Sequence, residues 1–221
     1  MSLKTYREKR NFNVSSEPTG SAKTKSEPKR SLIFVVQKHR ATALHYDFRL
    51  EWNGTLLSWA VPKGPSMDPS VKRLAMQVED HPVEYADFEG VIPEGEYGGG
   101  TVMVWDTGTW TPEGAGAEEG LQKGDLKFSL KGKKLKGSWV LVRTRGFGSK
   151  ADKSWLLMKH RDEFASTKDI AVEEPRSVVS KKLLADIARD NGGDVEKAAT
   201  GDPARPKKAA APVAKKKITK K

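Results

Sequence analysis

Apolar and polar positions alternate without a break from Leu44 to Leu50. Leu44, Tyr46, Phe48 and Leu50 fall on one side, and His45, Asp47 and Arg49 on the other. A period of two is the strand period, so this stretch predicts a β-strand with an apolar face and an ionisable face. Leu32 to Lys38, just upstream, is β-branched and aromatic and predicts a neighbouring strand, with Gln37 and His39 sharing a face at its end. Asn53-Gly54 between apolar runs is a tight-hairpin signal, since both central residues of that turn need positive φ. It leads into a strand over Leu56–Val61 that stops at Pro62-Lys63-Gly64-Pro65.

Further strands are predicted at Arg73–Val78, Thr101–Trp110 with a turn at Thr107-Gly108, Asp125–Leu130, Leu135–Arg143 and Trp155–Lys159. Glu84–Phe88 reads as one helical turn. Gly90–Gly100 and Gly114–Gly124 read as loops, and Val178–Ala188 as a helix stopped by Asn191-Gly192-Gly193. Many short strands at hairpin spacing with little helical periodicity predict a mainly β protein, an antiparallel barrel or a sandwich, with a few short helices. The six tryptophans lie in or beside those strands and belong to its core. Residues 1–30 read as a basic arm in which Tyr6, Arg10, Phe12 and Glu17 could fold against the domain. The domain then spans 31–190. Residues 191–221, ending in alternating Ala/Pro and Lys, are expected to be a disordered tail.

Charge sharpens this division. The net charge is +11, yet residues 1–30 carry eight basic and three acidic groups, and 201–221 eight basic and one acidic. The middle is nearly neutral. Basic arms on a neutral domain fit a polyanionic partner such as nucleic acid. With no cysteine, disulfides and thiolate metal sites are excluded. No apolar run is long enough to span a membrane, and the first residues lack the apolar core of a secretory signal, so a cytoplasmic protein is expected.

His39, His45 and Asp47 are a nitrogen/oxygen set suited to a divalent transition metal, and paired strands would aim them at one point. Arg49 beside them suits a phosphate, because its forked donors match two phosphate oxygens. His81 and Tyr85, four apart, could share a face and serve an oxyanion, or pack as an ordinary turn pair. Lys63 and Arg73 read as solvated cations, and His160 likewise. Glu94 and Glu96 flank Gly95 as turn residues. A rival reading takes His45-x-Asp47 as two ligands of a non-haem Fe(II) oxygenase, with His81 or His160 as the third.

The run from His39 to Leu50 resembles the signature of the 3′-phosphoesterase domain of bacterial DNA ligase D. So do Trp59–Pro65, Asp80–Tyr85 and Phe88–Gly100. The resemblance extends from about Tyr6 to Ile187. It implies a compact β-barrel and a Mn²⁺-dependent enzyme, with Co²⁺ as an alternative metal. Such enzymes trim 3′ ends in nonhomologous end joining, removing a terminal ribonucleoside and then the remaining 3′-phosphate. By motif, His39, His45 and Asp47 match the metal ligands, and Arg49, His81 and Tyr85 match phosphate-contacting and catalytic positions. Gln37, Lys63 and Arg73 match supporting positions, and Arg10 and Glu17 an N-terminal element that closes over the site. Asn11 departs from the family's Asp, which bears on the balance between diesterase and monoesterase activity. The implied partners are a primer-template DNA 3′ end, a separate ATP-dependent ligase and Ku, with a nucleoid location. The resemblance is to a stand-alone member of the family. A non-catalytic DNA-end-binding module is the remaining alternative.

Overall fold

The structure is a computed structural model that describes residues 3–20, 31–144 and 151–203. Eight strands close into an antiparallel barrel: β1 (Ile33–Arg40), β2 (Leu44–Trp52), β3 (Thr55–Val61), β4 (Arg73–Gln77), β7 (Gly100–Pro112), β8 (Asp125–Gly132), β9 (Lys136–Arg143) and β10 (Ser154–Lys159). The order around the ring is β1-β2-β3-β4-β10-β9-β8-β7, closed by pairing of β1 with β7. Two short strands lie outside it: β5 (His81–Pro82) on β3 and β6 (Gly90–Ile92) on β7. The antiparallel barrel expected from the spacing is therefore the fold. Closure leaves the ring without free edges.

The β2–β3 hairpin turns at Asn53 and Gly54, whose φ values of 50° and 78° are those its sequence requires. The apolar face of β2 enters the barrel, where Tyr46, Phe48 and Leu50 join Phe34, Trp59 and Trp105 in the main core. Five tryptophans are buried, and the half-buried Trp52 packs its ring against Trp110. The opposite face of β1 and β2 is polar but also covered. A second apolar cluster of Tyr6, Val35, Leu56, Tyr85, Phe88 and Val104 lies outside the barrel wall. It is built by α1 (Lys4–Glu8) and a 3₁₀ turn over Val83–Asp87. The N-terminal segment is thus a second layer over the chemically armed face.

Several local expectations are corrected. Thr107-Gly108 is no turn: β7 runs through it as a single strand pairing with both β1 and β8. Gly108 is needed for close approach, since a Cβ there would meet the Lys131 carbonyl oxygen at 2.2 Å. The stretch read as a loop before Gly124 holds α2 (Ala117–Lys123), opened by Glu118 and Glu119 and ended by Gly124 in the left-handed conformation. A four-residue helix, α3, spans Ile170–Glu173. The helix expected from Val178 begins only at Leu184 (α4, Leu184–Asp190). Before it, Lys181 takes φ 64° and the Ser177 hydroxyl accepts from Val179 N and Ser180 N, which holds the chain in a turn. Order also extends past 190. α5 (Val195–Ala199) packs on α4, and Asp202 accepts from the first two amides of α4 at 3.0 and 2.9 Å. The tail from 204 onward, like residues 21–30, lies outside the described residues.

Candidate metal centre

The antiparallel register sets His39 directly opposite His45 and Gln37 opposite Asp47. On the other side of β2, Asp47 pairs with Ala60 and Arg49 with Ser58. All these side chains share the outer face of the wall. Asp47 sits between the imidazoles: Oδ2 is 3.6 Å from His39 Nδ1 and Oδ1 is 3.7 Å from His45 Nε2. Ligand atoms of the three residues lie within 4.8 Å of one another. Ligands roughly 2.1 Å from a shared ion stand about 3–4 Å apart, so the spacing fits a divalent metal.

The remote ring nitrogens strengthen that fit. His39 Nε2 lies 2.9 Å from the Gly98 carbonyl oxygen, and His45 Nδ1 lies 3.0 Å from that of Ala43. Each can donate there, which leaves Nδ1 of His39 and Nε2 of His45 as lone-pair donors facing Asp47. Burial pushes the Asp47 carboxyl up, but the Arg49 guanidinium beside it outweighs this and holds it well below the usual carboxylate range. It stays ionised. Burial lowers His45 and keeps its ring neutral, as a ligand must be.

Arg49 is fixed at every nitrogen. Its guanidinium donates to Asp47 Oδ2 at 3.1 Å, Gln37 Oε1 at 2.8 Å and Ser58 Oγ at 2.7 Å. Gln37 in turn donates to the carbonyls of Tyr85 and Phe88, tying the wall to the 3₁₀ turn. His81, almost wholly buried, lies between two guanidiniums: Arg49 is 2.9 Å from Nδ1 and Arg10 3.1 Å from Nε2. Nδ1 is also 2.9 Å from the Glu79 carbonyl oxygen. Burial and the two cations hold this imidazole well below its ordinary value near 6.5, so it is neutral. A ring donating from Nδ1 to Glu79 and accepting from Arg10 at Nε2 satisfies most of these contacts.

Arg10 comes from the N-terminal layer. It donates to Glu17 at 2.8 Å and to the Tyr6 carbonyl at 3.1 Å, and its guanidinium lies over the Tyr6 ring. Glu17 is buried and also accepts from the Tyr85 hydroxyl at 3.0 Å. The Tyr85 phenol is thus committed to Glu17, and its ring lies 5.0 Å from the Arg49 guanidinium. Burial raises this phenol well above its usual value, so it remains a neutral donor.

A cavity of about 250 Å³ opens over the centre, lined by His39, His45, Asp47, Arg49, His81 and Arg10 among others. Tyr85 also lines it, with Gln37 and Glu17 behind it, but Lys63 and Arg73 do not line it. Lys63 is exposed in the turn after β3. Arg73 pairs with Leu157 on the interior-facing side of β4, whereas Met76, opposite Ala60, is on the site side. His160 is also remote: its Nδ1 meets the Ser138 hydroxyl at 2.8 Å, between β9 and β10. The nitrogens of His81 are taken up by Arg10, Arg49 and Glu79, so neither histidine completes an oxygenase triad.

Sequence reading missed Ser58, Glu79 and Lys9. Ser58 could be found only from register with Arg49. Glu79 pairs with Lys9 at 3.1 Å and Arg10 at 3.4 Å across a sequence gap that no pattern marks.

Residues 37–143 match the family described as DNA Ligase D 3′-phosphoesterase domain. The chain is 52% identical over 185 residues to the multifunctional non-homologous end joining protein LigD of Pseudomonas aeruginosa, covering 82% of this chain and 22% of that protein. It is 44% identical over 144 residues to the multifunctional non-homologous end joining DNA repair protein LigD of Mycobacterium tuberculosis, covering 65% and 18%. With the LigD of Mycolicibacterium smegmatis the identity is 39% over 168 residues, covering 73% and 21%. The chain thus spans about a fifth of the length of these relatives. The histidine–aspartate centre on β1 and β2 falls inside the matched segment, and the chain belongs to the DNA ligase D 3′-phosphoesterase domain family.

Proposed function

We propose that this chain is a Mn²⁺-dependent phosphoesterase that heals DNA 3′ ends in nonhomologous end joining. It removes a 3′-terminal ribonucleoside and then the 3′-phosphate. The observation that carries this reading is the sharing of one carboxylate, Asp47, by two lone-pair imidazole nitrogens and by the Arg49 guanidinium. The two imidazoles and the carboxylate bind a cation. Arg49 and Arg10, approaching from the other side, bind an anion, and the pair fits a phosphate held between them. His39, His45 and Asp47 would hold the metal. When bound, the ion supplies positive charge against a phosphate oxygen and polarises the phosphorus centre.

The chain's own groups do the remaining work. Arg49 is aimed by Gln37, Ser58 and Asp47, so its donors need no reorganisation when charge develops on the phosphate oxygens. Arg10, brought in by the N-terminal layer, supplies a second guanidinium and excludes water from above. His81, held at Nδ1 by the Glu79 carbonyl, accepts from Arg10 at Nε2 and so orients that guanidinium beside Arg49. Tyr85 and Glu17 hold Arg10 and the 3₁₀ turn in place. Lys63 and Arg73 act at a distance, through the loop and strand that follow β3. Partners are the DNA end and, through it, a ligase and Ku. The basic arms contribute sequence-independent affinity for the duplex.

The test is Mn²⁺-dependent release of phosphate from a primer-template carrying a 3′-phosphate, and of nucleoside from one carrying a terminal ribonucleotide. His45→Ala and Asp47→Ala are expected to lower both by at least about a thousandfold, with an unchanged circular dichroism spectrum. Wild-type protein that binds the primer but releases neither product would make the domain an end-binding module.

A further inference from the structure

We infer that Tyr97 is a stacking platform for the base of the 3′-terminal nucleoside, a substrate-positioning residue at the lip of the metal cavity; this rests on the phosphoesterase reading above. Most aromatic side chains of the described residues are buried in the two cores, but Tyr97 is 47% exposed. Among the described residues it is the one exposed large hydrophobic side chain that lines this cavity.

Its position is fixed relative to the metal ligands. Tyr97 immediately precedes Gly98, whose carbonyl oxygen lies 2.9 Å from His39 Nε2. The turn that carries it is closed by Glu96 N donating to Pro93 O and Gly99 N donating to Glu96 O. The ring is also held from the N-terminal layer. Lys9 Nζ donates to the Tyr97 hydroxyl at 3.1 Å and lies 4.4 Å from the ring centroid, while the Arg10 guanidinium lies 5.6 Å away. A flat aromatic surface, cation-backed and anchored one residue from the metal centre, therefore stands beside the cavity.

A 3′-phosphate bound between the metal ligands and Arg49 carries one organic group, the sugar with its base, which extends out of the cavity. The charged groups of the cavity, His39, His45, Asp47, Arg49 and Arg10, are placed to hold the phosphate and the ion rather than the base. Tyr97 offers a π-face of matching size. Stacking on an aromatic side chain tolerates every base, which suits an enzyme that must accept any broken end.

The experiment uses two primers with a 3′-phosphate on a common template, identical except that the terminal nucleotide of one is abasic. Tyr97→Leu removes the ring but keeps apolar bulk, and Tyr97→Phe keeps the ring and loses the hydroxyl. On the base-bearing primer Tyr97→Leu is expected to raise KM about tenfold, the loss falling on KM rather than kcat. On the abasic primer the same substitution is expected to change KM by less than about twofold. Tyr97→Phe should retain most of the wild-type affinity for the base-bearing primer. No loss on either primer, or an equal loss on both, would overturn the inference, because a role in merely holding the lip does not depend on the base. Wild-type protein that releases phosphate from neither primer would instead sink the phosphoesterase reading, and the platform with it.

Discussion

His81 shows how a single side chain can be set by its surroundings. Arg10 approaches from the N-terminal layer and Arg49 from β2; Glu79 lies on its own loop, Glu17 and Asp47 are nearby carboxylates, and the Tyr6 and Tyr85 rings pack on its faces. Burial and two cations keep the folded imidazole neutral, whereas an unfolded chain protonates it below about 6.5. The unfolded state then binds more protons, so stability is complete above that pH and is lost as pH falls from there through the folded value. Thermal melts from pH 7.5 down to 5 should show this fall, and His81→Gln should flatten it. An unchanged slope in the variant would place the acid sensitivity elsewhere. Asn11 shapes the N-terminal layer: its side-chain oxygen accepts from Asn13 N at 3.2 Å, and its carbonyl accepts from Val14 N and Ser15 N, turning the chain back toward Glu17.

The elements explain why those residues meet. β1 and β2 supply a rigid ladder in which register alone determines that His39 faces His45, and a slip of β2 by one residue would turn His45 and Asp47 into the core. The long β7 strand closes the barrel against β1, and it can do so only because Gly108 lets β8 approach. Gly108→Ala would push a methyl group against backbone that cannot retreat. A loss of about 2–3 kcal/mol is expected, seen as a melting temperature lower by roughly 5–10 °C; a melt within a degree of wild type would show that the strand yields easily. The alternation of β2 and the Asn53-Gly54 turn were legible in the sequence because both are local. Gly108 was misread because its reason is a neighbour over twenty residues away. The α4 helix start was misread because its cap is Asp202, well beyond the helix. The clustering of His39, His45 and Asp47 was legible as three residues on two strands. That the N-terminal segment folds against the domain was legible from its mix of aromatics and charge, but its closure over this site only through the family resemblance, since Arg10, Glu17, Glu79 and Tyr85 carry no shared period.

At the scale of the whole molecule, a neutral barrel presents its reactive face beneath a layer that delivers Arg10. The excess positive charge lies at the two ends of the chain. Residues 204–221 hold eight basic side chains and no acidic one. Truncation after residue 203 is expected to weaken DNA binding and to flatten the dependence of log Kd on log salt, while hydrolysis at saturating primer stays near wild type. An unaltered salt slope would assign that segment to solubility. The most direct measurement concerns the ion itself. Titration of Mn²⁺ followed by electron paramagnetic resonance should show one tightly bound ion per chain in the wild type. It should show none at the same concentrations in Asp47→Ala, His39→Ala or His45→Ala. A tightly bound ion that survives loss of all three side chains would contradict the account.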